Sequence, residues 1–543
     1  MLHFTRRGSR IIAQGDTFPV RQVLMMVPGA QWDPENRWWH YPYSAVAMQH
    51  LTTMFPDGNF AGELDELTAR MRLLEAAMAA KRGEQLEPIP LVVLPPWDHQ
   101  LRAYWFAKNR IEAQGGAMLA LDMGCGKTKV TLDYINNNGL KRVLVTAPMG
   151  VLSVWAEQVQ VHSCGPLPVH ICPPNQGVEK RFRGALSFME ANGWREGIVV
   201  VNHESVWRDQ FVELATQGEW DLLVVDESHR AKAPGGKLSR GLAKISNSID
   251  RRLGLTGTPC PHTIMDLFAQ ARFIDGTVFP SNFQLYRSTY AVMGGYKEKQ
   301  IVSFCNIEDW NRRFESLAYR VMAKDALDLP DAIHMTRTCE LSRPERNAYN
   351  SMRRDMVAEY KNGLITAANA LAKMIRLAQI TQGLAVDSEG RESTIGTSKR
   401  DLLYDTLSDI QERAVVFYRF NHDLKSIREA GLSLKRKVFT VRGGQNELAE
   451  WKAAGDPAIL AVQVRTGNEG VSMVEARFCI YYSKSWEPGA YLQSLARLLR
   501  PGQKRNVTYI HLEAENSIDQ KISKTLQGNH DMVEMFLGYL GEA

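Results

Sequence analysis

The sequence predicts an α/β protein of two tandem parallel-sheet lobes with helical insertions, preceded by a small α+β module. Three observations predict this. Apolar runs of strand length at 116–121, 143–147, 198–202, 222–225 and 253–255 alternate with helical stretches, which is how the buried strands of a parallel sheet read in sequence. Five further runs, at 414–418, 438–441, 459–462, 478–482 and 507–511, repeat the plan in the second half. Ahead of both halves, the first 60 residues are dense in aromatics, with Phe18, Trp32, Trp38, Trp39, Tyr41, Tyr43 and Phe55 supplying the bulk that a minidomain needs for a core.

In chain order, residues 1–60 are the accessory module. Within it, Ala30-Gln31-Trp32, Asp33-Pro34 and Trp38-Trp39-His40-Tyr41 read as strand, Asp-Pro turn and strand. Two roles stay open for its aromatics. They can staple the module's own core or, with Arg6, Arg7, Arg10 and Arg37, stack on and clamp branched or single-stranded DNA. Residues 61–93 hold an amphipathic helix, because Leu64, Leu67, Met71, Leu74 and Met78 recur at three- and four-residue spacing. The stretch from Pro88 to Pro96 is a linker. The first lobe is expected at 94–275, helical insertions and the inter-lobe linker at 276–400, and the second lobe with a C-terminal helix at 401–543.

The chemistry is written in two places. Asp226-Glu227-Ser228-His229 directly follows the apolar run 222–225, so a strand ends in two carboxylates. One of them, Asp226, can hold Mg²⁺ while Glu227 orients or deprotonates a water, provided another segment cradles a triphosphate. Asp122-Met123-Gly124-Cys125-Gly126-Lys127-Thr128 is that segment. Gly124 and Gly126 permit a turn whose N–H groups face phosphate oxygens, Lys127 brings charge to the outer phosphates, and Thr128 can ligate Mg²⁺ at a helix N-terminus. Leu121 stands where the usual pattern has its first glycine. Alone, Gly-Lys-Thr would also fit an ordinary strand-turn-helix; the acidic strand about a hundred residues on selects the phosphate-loop reading. The turn Thr256-Gly257-Thr258 after the run at 253–255 is suited to couple the acid pair to its neighbours. In the second half, Arg497 and Arg500 are three apart and are expected to share a helical face, as fingers for a γ-phosphate or as ordinary ion-paired arginines.

These motifs, with Leu255-Thr256-Gly257-Thr258-Pro259 and Gln493-x-x-x-Arg497-x-x-Arg500-x-Gly502-Gln503, resemble the Swi/Snf-type motors of helicase superfamily 2 over about 94–526. The Arg-x-Gly-Gln ending, and Trp155 with Glu157 after Ala147-Pro148, resemble this branch rather than the Asp-Glu-Ala-Asp RNA helicases. The resemblance implies two RecA-like lobes, ATP and Mg²⁺ as cofactors, hydrolysis stimulated by duplex DNA, and movement along it. It further implies that Gln100 reads the adenine edge and that Gln493 contacts the nucleotide region. Trp155, Thr466 and Arg37 become candidate DNA contacts. Arg465-Thr466-Gly467-Asn468-Glu469-Gly470-Val471 matches the family's Gly-rich stretch only loosely. The N-terminal 60 residues are weakly similar to the HepA-related module of annealing helicases.

With 65 Lys and Arg against 60 Asp and Glu, the net charge of +5 is too small to advertise a nucleic-acid binder, so any basic track must be local. Seven cysteines without a regular framework fit a reducing compartment. His162, Cys164, His170 and Cys172 read as loop and strand rather than a metal site. Apolar runs are too short to span a membrane, so the expectation is a cytoplasmic or nucleoid-associated monomer. The leading function is an ATP-driven double-stranded DNA translocase, possible substrates including forked or branched DNA. The alternatives are a duplex-unwinding helicase or restriction-like motor on the same ATP site, and a non-catalytic, nucleotide-gated DNA-binding protein.

Overall fold

The computed structural model describes residues 2–27, 29–84, 86–173, 176–191, 193, 196–280, 282–294, 300–361, 367–387, 389–464 and 472–528. The chain divides into two compact units, Met1–Pro259 with Ile264–Met322, and Cys260–Thr263 with Ala323–Ala543.

The first unit opens with a five-stranded sheet in the order Gln31–Asp33, Trp38–Pro42, Arg10–Gln14, His3–Arg7, Asn59–Phe60. Its hairpin turn is closed by Asp33, whose Oδ1 accepts the Glu35 and Asn36 amides at 3.0 Å each, while Asn36 Nδ2 donates to Oδ2 at 2.9 Å. Phe4, Ile11, Ala13 and Tyr41 bury one face of this sheet against Leu24, Met48, Leu51 and Leu67, with Trp39, Phe55 and Phe60 packed at the margin. Much of the aromatic content therefore staples the module's core.

Helix Asp65–Arg82 buries Leu67, Ala77 and Ala80, and Gly83 ends it in the left-handed conformation at φ 80°. It packs against helix Ala45–Met54 on one side and helix Asp98–Gln114 on the other. Lys81, near its end, donates to Glu315 O at 2.6 Å and Ala318 O at 2.9 Å, and burial pulls its ammonium down to about 8. The module is thereby fastened to the lobe that follows.

That lobe is a fully parallel seven-stranded sheet in the order Ala318–Val321, Gly116–Leu121, Arg252–Leu255, Leu222–Val225, Arg142–Ala147, Gly197–Asn202, Val169–Ile171. The five apolar runs form its interior. Gly116–Leu121, Gly197–Asn202 and Leu222–Val225 are buried at every residue, as strands covered on both faces must be. Arg110, itself buried, anchors the edge: its guanidinium donates to Ser316 O at 2.6 Å, to Gly116 O, and to Asp275 Oδ2 at 2.7 Å.

The second unit carries a sheet in the order Ala332–Cys339, Val507–Ala514, Phe478–Tyr481, Ala414–Tyr418, Ile459–Gln463, Val438–Arg442, Gln445–Asn446, parallel except for the last short strand. Residues 276–400, read from sequence as helical insertions and linker, do contain helices Ile307–Leu317, Arg343–Lys361 and Ala367–Thr381. They also supply an edge strand to each large sheet, Ala318–Val321 and Ala332–Cys339. The second of these is exposed or half-buried throughout, so it lacks the apolar run that marks an interior strand.

Candidate functional site

The strand order puts the ends of Gly116–Leu121, Arg252–Leu255 and Leu222–Val225 side by side at the carboxyl edge of the first sheet. Ligands of open parallel sheets bind at such an edge. After Leu121 the chain turns through Gly124 and Gly126, both at φ 84°, and helix Lys127–Asn137 begins at once. The first amide groups of that helix are the donors a phosphate would meet. The back of the loop is held in place: Cys125 O accepts from His99 Nε2 at 3.0 Å and Gln100 Nε2 at 3.3 Å. Gln100 Oε1 accepts the Trp97 amide at 3.0 Å. Gln100 is thus buried against the phosphate loop rather than exposed on its helix, and a Cβ at Gly126 would lie 2.3 Å from its Nε2. Lys127 Nζ donates to Leu121 O at 2.8 Å, across the mouth of the same turn. Burial pushes the Cys125 thiol up to about 11, so it is a small packed residue and not a reactive thiolate.

Asp226 and Glu227 follow the neighbouring strand. Burial, then the adjacent Glu227 charge, push the Asp226 carboxyl up to about 6, against the opposing pull of Lys127 and of the hydrogen bonds it accepts. Those bonds come from Trp155 Nε1 to Oδ2 at 3.1 Å and from the Glu227 amide to Oδ1 at 2.9 Å. Its backbone is clamped as well. Asp226 O lies 2.8 Å from His203 Nε2, which must carry the proton because a carbonyl only accepts, so His203 Nδ1 accepts from Thr146 Oγ1 at 3.2 Å. Burial lowers His203 to about 3 and keeps it neutral. Glu227 adopts φ 47°, a left-handed conformation that costs a non-glycine residue about 1–2 kcal/mol. This turn aims its carboxylate toward His229, whose Nδ1 is 3.3 Å from Glu227 Oε2 and 2.9 Å from Thr256 Oγ1. A second link runs from Ser228 Oγ to Gln270 Oε1 at 2.9 Å and from Gln270 Nε2 to Pro259 O at 2.6 Å. The acid pair and the Thr-Gly-Thr turn are joined at both ends.

Two adjacent carboxylates, one raised by burial and then by the other's charge, with a lysine and a helix N-terminus alongside, fit a hard divalent cation bound together with a polyphosphate. The residues present match Mg²⁺·ATP: hard oxygen donors for the metal and N–H donors for the phosphates.

Other sequence-expected residues fall differently. Trp155 is corrected: at 1% exposure it is a buried partner of Asp226 and not a surface for DNA. The helical face expected for Arg497 and Arg500 is also corrected. Helix Pro488–Leu495 carries Gln493, half-buried, but ends before both arginines. The Arg497 amide bonds three residues back to Ser494 O at 3.3 Å, Arg500 O accepts the Gln503 amide at 3.0 Å, and Pro501 disfavours helical geometry at Arg500. Arg497 is buried, and burial lowers the Arg500 guanidinium from its usual value. Gln503 holds this turn by donating to Val474 O at 3.1 Å and Ala476 O at 3.0 Å. Arg37 is exposed in the N-terminal hairpin turn at φ 54°. Thr466 and Gly470 lie outside the described residues. The sequence reading passed over His99, His203 and Gln270. Their only linear signals are a place beside Gln100 and a place at the end of a strand; their partners are distant in the chain.

The SNF2-related domain family model matches residues 99–385. Protein p41 of Acyrthosiphon pisum secondary endosymbiont phage 1 is 26% identical over 454 residues, covering 76% of this chain and 93% of the phage protein. The Chromodomain-helicase-DNA-binding protein 1-like of Danio rerio is 26% identical over 431 residues, covering 75% of this chain; the chain spans only 40% of that relative's length. Among solved structures, the Sulfolobus solfataricus SWI2/SNF2 ATPase core in complex with dsDNA aligns at 20% identity with a TM-score of 0.41, covering 82% of this chain and 93% of that one.

Proposed function

Because this chain belongs to the SNF2-related domain family, ATPases of helicase superfamily 2, we propose that it is an ATP-driven motor that moves on double-stranded DNA. The observation that carries the reading is the placing of the phosphate loop and Asp226-Glu227 at the carboxyl ends of the two strands that flank Arg252–Leu255, with Thr256 after that strand tied to Glu227 through His229. In this reading the loop amides, Lys127 and Thr128 bind the phosphates, and Gln100 and Gln493 serve the nucleotide. Mg²⁺ bound by Asp226 and Thr128 would neutralise charge on the transferring phosphoryl group. Glu227 accepts the proton of the attacking water, its carboxylate steered by its left-handed backbone and His229. The resemblance gives Arg497 and Arg500 the role of fingers for the γ-phosphate, and the hydrolysis rate of Arg500→Ala tests it. Because His229, Thr256 and Gln270 connect the acid pair to the end of the neighbouring strand, a change at the phosphates is felt at Pro259, where the chain leaves the first unit. That connection supports coupling of hydrolysis to movement. The name of the Danio rerio relative supports DNA as the track, and a preference for forked or branched duplexes is the finer form of the proposal.

The test is the ATPase rate on blunt duplex, fork, single-stranded DNA and RNA, with Glu227→Gln beside the parent. Duplex should stimulate most, and the variant should bind ATP yet fail to turn it over. An unstimulated parent, or a variant hydrolysing at the parental rate, rejects the reading.

A further inference from the structure

The carbonyl of Asp226 stands where the sheet cannot supply it with a donor. In the parallel ladder between Leu222–Val225 and Arg142–Ala147, Val225 lies opposite Thr146, and the Asp226 amide continues the pattern by donating to Thr146 O at 2.8 Å. The bond that should return to Asp226 O belongs to the residue two places after Thr146. That residue is Pro148, which has no N–H. Asp226 is buried, and a buried carbonyl without a donor is costly. A strand end released from its neighbour also holds its side chain less firmly.

His203 takes the place of the missing amide. Its Nε2–H meets Asp226 O at 2.8 Å, although its own strand, Gly197–Asn202, lies on the far side of Arg142–Ala147 in the sheet. The imidazole therefore crosses the end of the intervening strand. There Thr146 Oγ1 lies 3.2 Å from its Nδ1. A hydroxyl that donates to Nδ1 leaves the ring proton on Nε2, which is the tautomer the carbonyl requires. The turn that presents the ring is fixed as well. Asn202 Oδ1 accepts from Ser205 Oγ at 2.7 Å and from Arg181 Nη1 at 3.2 Å, and His203 is 2% exposed. The Asp226 carboxylate is held separately, by Trp155 and the Glu227 amide. Trp155 thus sets the aim of the carboxylate, and His203 fixes the main chain from which it hangs.

We propose that His203 is a positioning residue of the metal site: it stands in for the N–H that Pro148 cannot give, and Thr146 keeps it in the donating tautomer. The inference rests on the motor reading, in which Asp226 holds Mg²⁺ beside the phosphates, and extends that site to two side chains that touch neither metal nor nucleotide. A group that orients a metal ligand typically governs metal affinity by about 10–100-fold. Loss of His203 should therefore fall on the metal and spare the binding of metal-free nucleotide.

The test titrates a fluorescent ATP analogue onto the full chain with and without Mg²⁺, so that nothing depends on turnover. The parent should gain affinity from the metal. His203→Phe keeps a buried ring and deletes the donor, and should forfeit ~10–100-fold of that gain with metal-free affinity unchanged. His203→Gln, which can donate to Asp226 O and accept from Thr146, should keep most of it. Thr146→Val preserves the shape and removes only the hydroxyl; it should lose part of the gain, and Thr146→Ser should restore it. Nitrogen-15 NMR of the labelled imidazoles should find the Nε2–H form at His203 in the parent. An undiminished gain in His203→Phe, equal loss in His203→Phe and His203→Gln, an Nδ1–H tautomer in the parent, or a parent with no gain at all overturns the proposal. An unchanged gain in Thr146→Val removes the hydroxyl from it. A parent that gains affinity from Mg²⁺ yet hydrolyses no ATP on duplex DNA counts against the motor and leaves this role standing.

Discussion

Trp155→Phe separates a metal-site role from a DNA role for the same residue. The indole is 1% exposed and gives its N–H to Asp226 Oδ2 at 3.1 Å; phenylalanine keeps most of the buried ring and removes the donor. A hydrogen bond to a charged acceptor contributes about 1.5–3 kcal/mol. If Asp226 holds Mg²⁺, that loss falls on the metal site, and loss of a ligand-orienting partner typically costs about 10–100-fold in metal affinity. Binding of a fluorescent ATP analogue with and without Mg²⁺ isolates the effect. The parent should gain affinity from the metal, Trp155→Phe should forfeit about 10–100-fold of that gain, and metal-free nucleotide affinity and duplex affinity should stay at parental values. An undiminished Mg²⁺ gain refutes the reasoning, and a fall in duplex affinity alone would return Trp155 to the DNA-contact role.

Arg110→Met should destabilise the first unit by about 3–5 kcal/mol, because it strands the buried Asp275 carboxylate and releases two carbonyls; a urea midpoint unchanged from the parent would contradict this. Arg500→Ala should leave nucleotide affinity within a few-fold and cut the hydrolysis rate ~10³–10⁵-fold if the residue acts as a finger; an unchanged rate removes it from that role. Gly126→Ala should lower ATP affinity, since φ 84° disfavours a side chain and its Cβ would displace Gln100 from Cys125 O; nucleotide titration of the variant reads this directly. Gln270→Ala should reduce the DNA stimulation of hydrolysis more than basal hydrolysis, as it cuts the link between Ser228 and Pro259; equal loss of both rates would make that link merely structural.

The sequence by itself determined the interior strands, the phosphate loop and the acid pair. Each is local: a strand buried on both faces must be an apolar run, a phosphate loop needs glycine where φ is positive, and paired carboxylates stand next to one another in the chain. Resemblance of the ordered motifs then placed the family. The edge strand Ala332–Cys339 escaped it, because that strand pairs on one side only and carries no apolar run. Arg497 and Arg500 have helical spacing yet lie past the helix end, where Pro501 and the Gln503 bonds prevail over periodicity. Only the tertiary structure decided that Trp155 faces Asp226, that His203 clamps the Asp226 carbonyl from 23 residues away, that Gln100 braces the phosphate loop, and that Ser228 reaches Pro259 through Gln270. Those groups meet because parallel strands distant in sequence end at one edge, and hydrogen bonds across that edge leave no periodic trace in the chain.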